Sequence, residues 1–139
     1  MILVIRISGL VEVPNRINEA LFRMRLRRKY TAILLKPSNE NMKLLENVRN
    51  FVAYGDIDPE TLYLLIEKRA QLIDKKKKIN TKEIIDNMAK KSLESIGIKS
   101  FFRLHPPRGG IDSKIHFPIR KGVLGDNKGK INVLVRRML

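Results

Sequence analysis

Residues 30–57 read YTAILLKPSNENMKLLENVRNFVAYGDI, and the fold turns on how this stretch is parsed. Tyr30 to Pro37 is rich in strand-forming residues and closes on a proline, which has no amide to give a ladder, so it reads as a buried strand. Ser38 is placed to cap a helix. Met42, Leu45 and Val48 then recur every three residues, which predicts a helix to about Asn50 with one apolar side. Phe51 to Ile57 reads as a further strand, interrupted by Gly55.

Working outward, Ile2 to Ile7, ILVIRI, is almost continuously apolar and reads as a strand buried on both faces. Asn15 is placed to cap the next helix, with Asn18 three positions on. Ile17, Ala20, Leu21 and Met24 follow the i, i+3, i+4, i+7 rule and share a face. Phe22 and Leu26 fall off it, so the helix is expected to end near Arg25 with Leu26 folding back beneath. The first 57 residues therefore spell β-α-β-α-β. Short helical crossovers predict parallel neighbouring strands, and right-handed crossovers place both helices on one face of the sheet.

Beyond this core, Asp58-Pro59-Glu60 has the chemistry of a helix start, with Leu62, Leu65, Ile66 and Arg69 on one face. IDKKKKIN is either a solvated loop or a run disposed toward a polyanion. Thr81, Ile84 and Ile85 open another helix, expected to reach about Ser95 and to stop at Gly97. KSFFRL reads as a short strand. In GKINVLVRRML, a helix uses Ile131, Leu134, Val135 and Met138, whereas a strand uses only Ile131, Val133 and Val135; the helix accounts for more. The expected class is α/β (α+β), with residues 1–57 as a core. Residues 58–139 form a helical extension with a basic loop and a C-terminal helix, packed on the core as one unit.

Charge narrows the function. The chain of 139 residues has 29 Lys and Arg against 14 Asp and Glu, a net +15. Residues 1–70 carry +4 of this and residues 71–139 carry +11. Such an excess repels itself and makes most sense beside a polyanion. There is no cysteine, which excludes disulfides, thiolate metal sites and a cysteine nucleophile; two histidines make a zinc site a poor expectation. No apolar run reaches the roughly 18 residues of a membrane span. MILVIRISG, with Arg6, reads as a strand rather than a signal peptide, and a cytoplasmic protein is expected.

Catalysis finds no support. The chain lacks GxSxG, a Walker loop, HExxH and a carboxylate-rich metal loop. Asp56, Asp58 and Glu60 sit together, but a helix cap explains them. The expectation is no enzyme, no cofactor, no metal and no small-molecule substrate.

Two basic groups remain. Arg23, Arg25, Arg27, Arg28 and Lys29 cluster where the first helix ends, suiting either the negative end of its dipole or phosphate. The second lies in RLHPPRGGIDSKIHFPIRKG, residues 103–122. Pro106 and Pro107 stiffen the backbone, while Gly109 and Gly110 let a phosphate approach main-chain amides. Arg108 between them can give two parallel hydrogen bonds to phosphate. Arg103, His105, Lys114, His116, Arg120 and Lys121 surround it; His105, His116 and Phe117 are candidates to stack on unpaired bases. Lys43 and Lys128 complete the candidate set.

The β-α-β-α-β opening, FVAYG followed by DPETLYLLIEKRA, then RLHPPRGG and INVLVRRML, resemble a family of large-subunit ribosomal proteins, the universal one numbered thirty, whose eukaryotic members are numbered seven. Bacterial members resemble residues 1–57 alone; the extension and the length resemble the archaeal type. The resemblance implies a ferredoxin-like core on large-subunit ribosomal RNA beside neighbouring ribosomal proteins, with no catalytic residues. It implies RNA contacts at the arginine cluster and around Arg108, with the proline-glycine loop ordering against the RNA. The chain departs from the family at Arg25, where members often have Gly or Asn, and at Met42-Lys43, where many have Arg-Gly; Lys43 supplies a longer-range charge there. The alternatives are an assembly factor of the same family and, from a different class, a small anion- or nucleotide-binding enzyme or regulator using PPRGG as a phosphate loop.

Overall fold

The apolar run at the N-terminus becomes β1 (Ile2–Arg6), and all five of its residues are buried. The computed structural model describes residues 1–7, 9, 13–69, 81–88, 97–108, 113–116 and 122–139. After β1 come α1 (Asn15–Arg23), β2 (Thr31–Leu35), α2 (Asn39–Val48) and β3 (Val52–Asp56), the expected order. Then follow α3 (Pro59–Arg69), α4 (Thr81–Met88), β4 (Phe102–Arg103), β5 (Ser113–His116) and β6 (Gly122–Asp126). A 3-10 turn, Lys128–Lys130, leads into α5 (Ile131–Met138). The described strands form one sheet in the order β4-β2-β1-β3-β6-β5. The fold is of the expected mixed α+β, ferredoxin-like kind.

Strand direction corrects the sequence reading. β1 is antiparallel to both β2 and β3, not parallel to its successor. The reason lies in residues 24–30. They fold back under α1 and return the chain to the end of β1, where Tyr30 N–H donates to the Arg6 carbonyl at 2.7 Å. β2 therefore starts where β1 stops. β2 and β3 do point the same way, but with β1 between them, so α2 spans a skipped strand.

Both helices nevertheless share one face, as expected. Ile2 and Val4 join Ile17 and Leu21 of α1 and Leu45 and Val48 of α2 in one apolar cluster. Leu3, Ile5 and Ile7 point the other way, into a cluster with Leu65, Ile66, Ile84, Phe102, Ile131, Leu134, Val135 and Met138. A strand alternates its side chains, so a run apolar at every position must be covered twice. Each fully buried aliphatic side chain contributes about 1.5–3 kcal/mol, so the extension is as much a part of the core as α1 and α2.

Helix starts follow local chemistry, with one correction. The Ser38 hydroxyl accepts from Asn41 N–H at 3.2 Å, and Asp58 Oδ1 accepts from Thr61 N–H at 2.7 Å. Asn15 is not the cap of α1; it is already helical. Pro14 holds the cap position without a side-chain hydrogen bond, and its carbonyl receives the amides of Ile17 and Asn18 at 3.0 Å each. Proline's fixed φ makes that turn without help.

Gly55 does not interrupt β3; it pairs in register with Leu3. Its missing side chain is what lets the extension land. A Cβ there would collide with the Lys128 carbonyl oxygen and come within 3.0 Å of the Ile131 side chain. Around this contact Asn127 N–H donates to Tyr54 O at 2.7 Å. Asn132 accepts from Asp58 N–H at 2.9 Å and donates to Asp56 O at 3.1 Å. Gly97 adopts φ 100°, a conformation that favours glycine. The lysine run and the end of the helix expected near Ser95 lie outside the described residues.

Candidate nucleic-acid interface

The first basic group is built on a helix end. Leu26 N–H reaches back to Leu21 O at 2.8 Å and Arg25 N–H to Phe22 O at 3.1 Å. These are the two bonds of a Schellman motif, whose turning residue takes positive φ and is usually glycine. Here it is Arg25, at φ 67°. Tyr30, at the other end of the loop, stands at φ 64°. Bulky residues in this region cost on the order of 1–3 kcal/mol each and persist only where surroundings dictate them. Between them Arg27, Arg28 and Lys29 are exposed, while Leu26 is fully buried. Lys29 Nζ lies 5.0 Å from the centre of the Tyr30 ring.

What dictates the loop is Arg6, a residue that pattern reading passes over as a polar interruption of β1. Its side chain is completely buried. Nη1 donates to Leu26 O at 2.7 Å, and Nη2 to Gly9 O at 3.2 Å and Asn18 Oδ1 at 3.0 Å. Burial pushes its pKa below the ordinary arginine value, though arginine starts so high that it stays charged near neutrality. The guanidinium is thus an internal strut. It grips the carbonyl between Arg25 and Arg27 and fixes where those cations stand.

The second basic group reaches the first through the sheet. β4 pairs with β2, setting Arg103 opposite Thr31. A cleft of about 190 Å³ opens there, lined by Arg25, Arg27, Arg28, Thr31, Phe101 and Arg103. Four arginines line it, and among the described residues no acid does. Phe101 is half-buried, with Arg103 5.7 Å and Lys99 6.0 Å from its ring centre. Nothing in the spacing of the sequence announces Phe101 as part of a site; only the strand pairing does.

Past β4 the chain is fastened to α5. His105 N–H donates to Met138 O, and Arg108 N–H to Arg137 O, both at 3.0 Å; Arg137 Nε returns a bond to Arg108 O at 2.9 Å. These bonds satisfy carbonyls that a helix end leaves open. Pro107 is buried, while His105 and Arg108 are exposed. As far as Arg108, the segment is hydrogen-bonded to its own chain.

Not every candidate joins this end. Arg23 is exposed on the last turn of α1, and Lys43 is exposed mid-way along α2. Lys128 follows β6 and lies against Gly55, at the opposite end of β3 from the arginine loop. Lys114 and His116 belong to β5, the strand beside β6. Gly109, Gly110, Arg120, Lys121 and Phe117 lie outside the described residues. Among the described residues no group of three His, Asp or Glu side chains could hold a metal ion. No described helix is long and apolar enough to cross a membrane.

No family model matches the chain. Individual proteins do. It is 35% identical to a large ribosomal subunit protein uL30 of Aeropyrum pernix, over 98% of this chain and 97% of that protein. The uL30 of Pyrobaculum aerophilum is 34% identical over 98% and 92%. That of Saccharolobus islandicus is 36% identical over 98% and 96%. The chain belongs to the uL30 family. Its similarity is to archaeal uL30 along the whole length, so the extension carrying β4 and α5 is shared with these relatives.

Proposed function

We propose that the chain is a structural constituent of the large ribosomal subunit in the cytoplasm, one that binds and stabilises ribosomal RNA and performs no catalysis. The observation that carries this is the cleft. Two basic groups far apart in the sequence meet there, and among the described residues no acid lines the space, an arrangement suited to phosphate. Family membership supports ribosomal RNA as the polyanion, since the relatives are large ribosomal subunit proteins.

In this reading residues 1–57 and 58–139 act as one RNA-binding unit. Arg25, Arg27, Arg28 and Arg103 grip phosphates; Arg23 and Lys29 flank them. His105, Arg108, Gly109, Gly110, Lys114, His116, Arg120 and Lys121 extend the surface along the proline-glycine segment. Lys43 and Lys128 add charge from farther off. Neighbouring ribosomal proteins complete the surroundings.

The test is binding of the purified chain to large-subunit ribosomal RNA at moderate salt. The double variant Arg27→Glu, Arg28→Glu is expected to lose RNA while keeping its fold by circular dichroism. Parental affinity in that variant would remove the cleft from the interface. Arg108→Ala is expected to weaken binding less, with an intact fold.

A further inference from the structure

A site for phosphate alone needs cations and no aromatic ring. This cleft has both. Phe101 shares the wall with four arginines and is neither fully buried nor fully exposed. Arg103 stands 5.7 Å and Lys99 6.0 Å from its ring centre, within the roughly 6 Å reach of cation–π attraction. The ring still keeps part of its surface open to the cleft. A paired base in an A-form helix offers no face to such a ring, because its faces are covered by the stack. An unpaired nucleotide offers one face for stacking and one phosphate for the arginines.

We infer that the cleft lined by Arg25, Arg27, Arg28, Thr31, Phe101 and Arg103 holds a single unpaired nucleotide of RNA, its base against Phe101 and its phosphate among the arginines. This deepens the RNA-binding reading and rests on it. Recognition by stacking and charge reads no base edge, so the pocket tolerates any base, with purines favoured by their larger faces. The shape it selects is a bulge or loop, not a continuous duplex.

Three RNA hairpins test this with the full chain: one with a single bulged 2-aminopurine, one with an abasic residue at the bulge, and one fully paired. Loss of one stacked base weakens binding by roughly 5- to 150-fold. The expected result is that the bulged RNA binds at least fivefold tighter than the abasic one, with 2-aminopurine fluorescence quenched on binding. Phe101→Leu keeps apolar packing but removes the ring, and should erase both the preference and the quenching; Phe101→Tyr should restore them. Equal affinity for the bulged and abasic hairpins, with binding still lost in Arg27→Glu, Arg28→Glu, would overturn the nucleotide pocket and leave a phosphate site. Absence of binding to all three hairpins and to ribosomal RNA at low salt would overturn the RNA reading itself.

Discussion

Arg25 is the residue where fold and function pull apart. Its left-handed backbone costs an L-residue about 1–2 kcal/mol, while a glycine there gives back roughly 0.5–1 kcal/mol in chain entropy. Arg25→Gly is therefore expected to stabilise the fold by about 0.5–1 kcal/mol in denaturant melts. It should also weaken RNA binding and flatten the log–log salt slope by about 0.7–0.9, one phosphate contact. A variant that is less stable than the parent would show that the side chain, not the backbone, governs this turn. Arg6 makes the converse case. Arg6→Met keeps bulk but strands Leu26 O, Gly9 O and Asn18 Oδ1. The expected loss is about 3 kcal/mol, with faster hydrogen exchange at residues 26–29. Its importance was not legible beforehand. A lone arginine in an apolar strand looks like a solvent-facing position, and only the folded loop supplies the carbonyls that make burial tolerable.

Helices were easier to read than strands. Ile131, Leu134, Val135 and Met138 are all buried in α5 while Val133 is 62% exposed, because a period of 3.6 allows only one face to be dry. In α2 the same rule placed Leu45 and Val48 correctly, while Met42 sits at the exposed margin. Strand direction has no such signature: alternation reports faces, not polarity, and the return of residues 24–30 is irregular. The junction between core and extension was likewise hidden, since a glycine in a strand reads as an interruption until its neighbour across the sheet is known. Gly55→Ala would drive a Cβ into the Lys128 carbonyl and Ile131. Backbone cannot move aside as a flexible side chain does, so a loss of about 2–3 kcal/mol is expected on unfolding; a change below half a kilocalorie would mean that α5 is only loosely seated. At the next junction the Thr61 hydroxyl and amide hold the Asp58 carboxyl below its usual pKa. A depressed carboxylate contributes stability above its unfolded value, near 3.9, and loses it as pH falls through the lower folded value. Asp58→Ala should cost about 1 kcal/mol at neutral pH and the difference from parent should vanish in acid.

The arginine loop, β4 and the end of α5 lie together where β1 stops and β2 begins, whereas Asp56, Asp126 and Lys128 lie at the other end of the sheet. The cleft arginines thus stand at one end of the described sheet, in a chain of net charge +15. Two salt effects of opposite sign follow. Crowded cations repel one another, so added salt screens them and should raise the melting temperature of the free protein. The same salt restores the counterions that RNA releases on binding, so affinity should fall; with six to ten phosphates neutralised, the drop between 50 and 200 mM is about 10³- to 10⁵-fold. Position decides how much each cation contributes to that slope. Arg27→Glu, inside the cleft, should flatten it by more than one phosphate contact, since charge reversal both removes a cation and repels RNA. Lys128→Glu, beyond Gly55 at the far end, should leave it nearly unchanged. Equal changes in slope for the two variants would mean that RNA is attracted by total charge alone, and that the convergence of arginines around Phe101 has no part in how the protein is held.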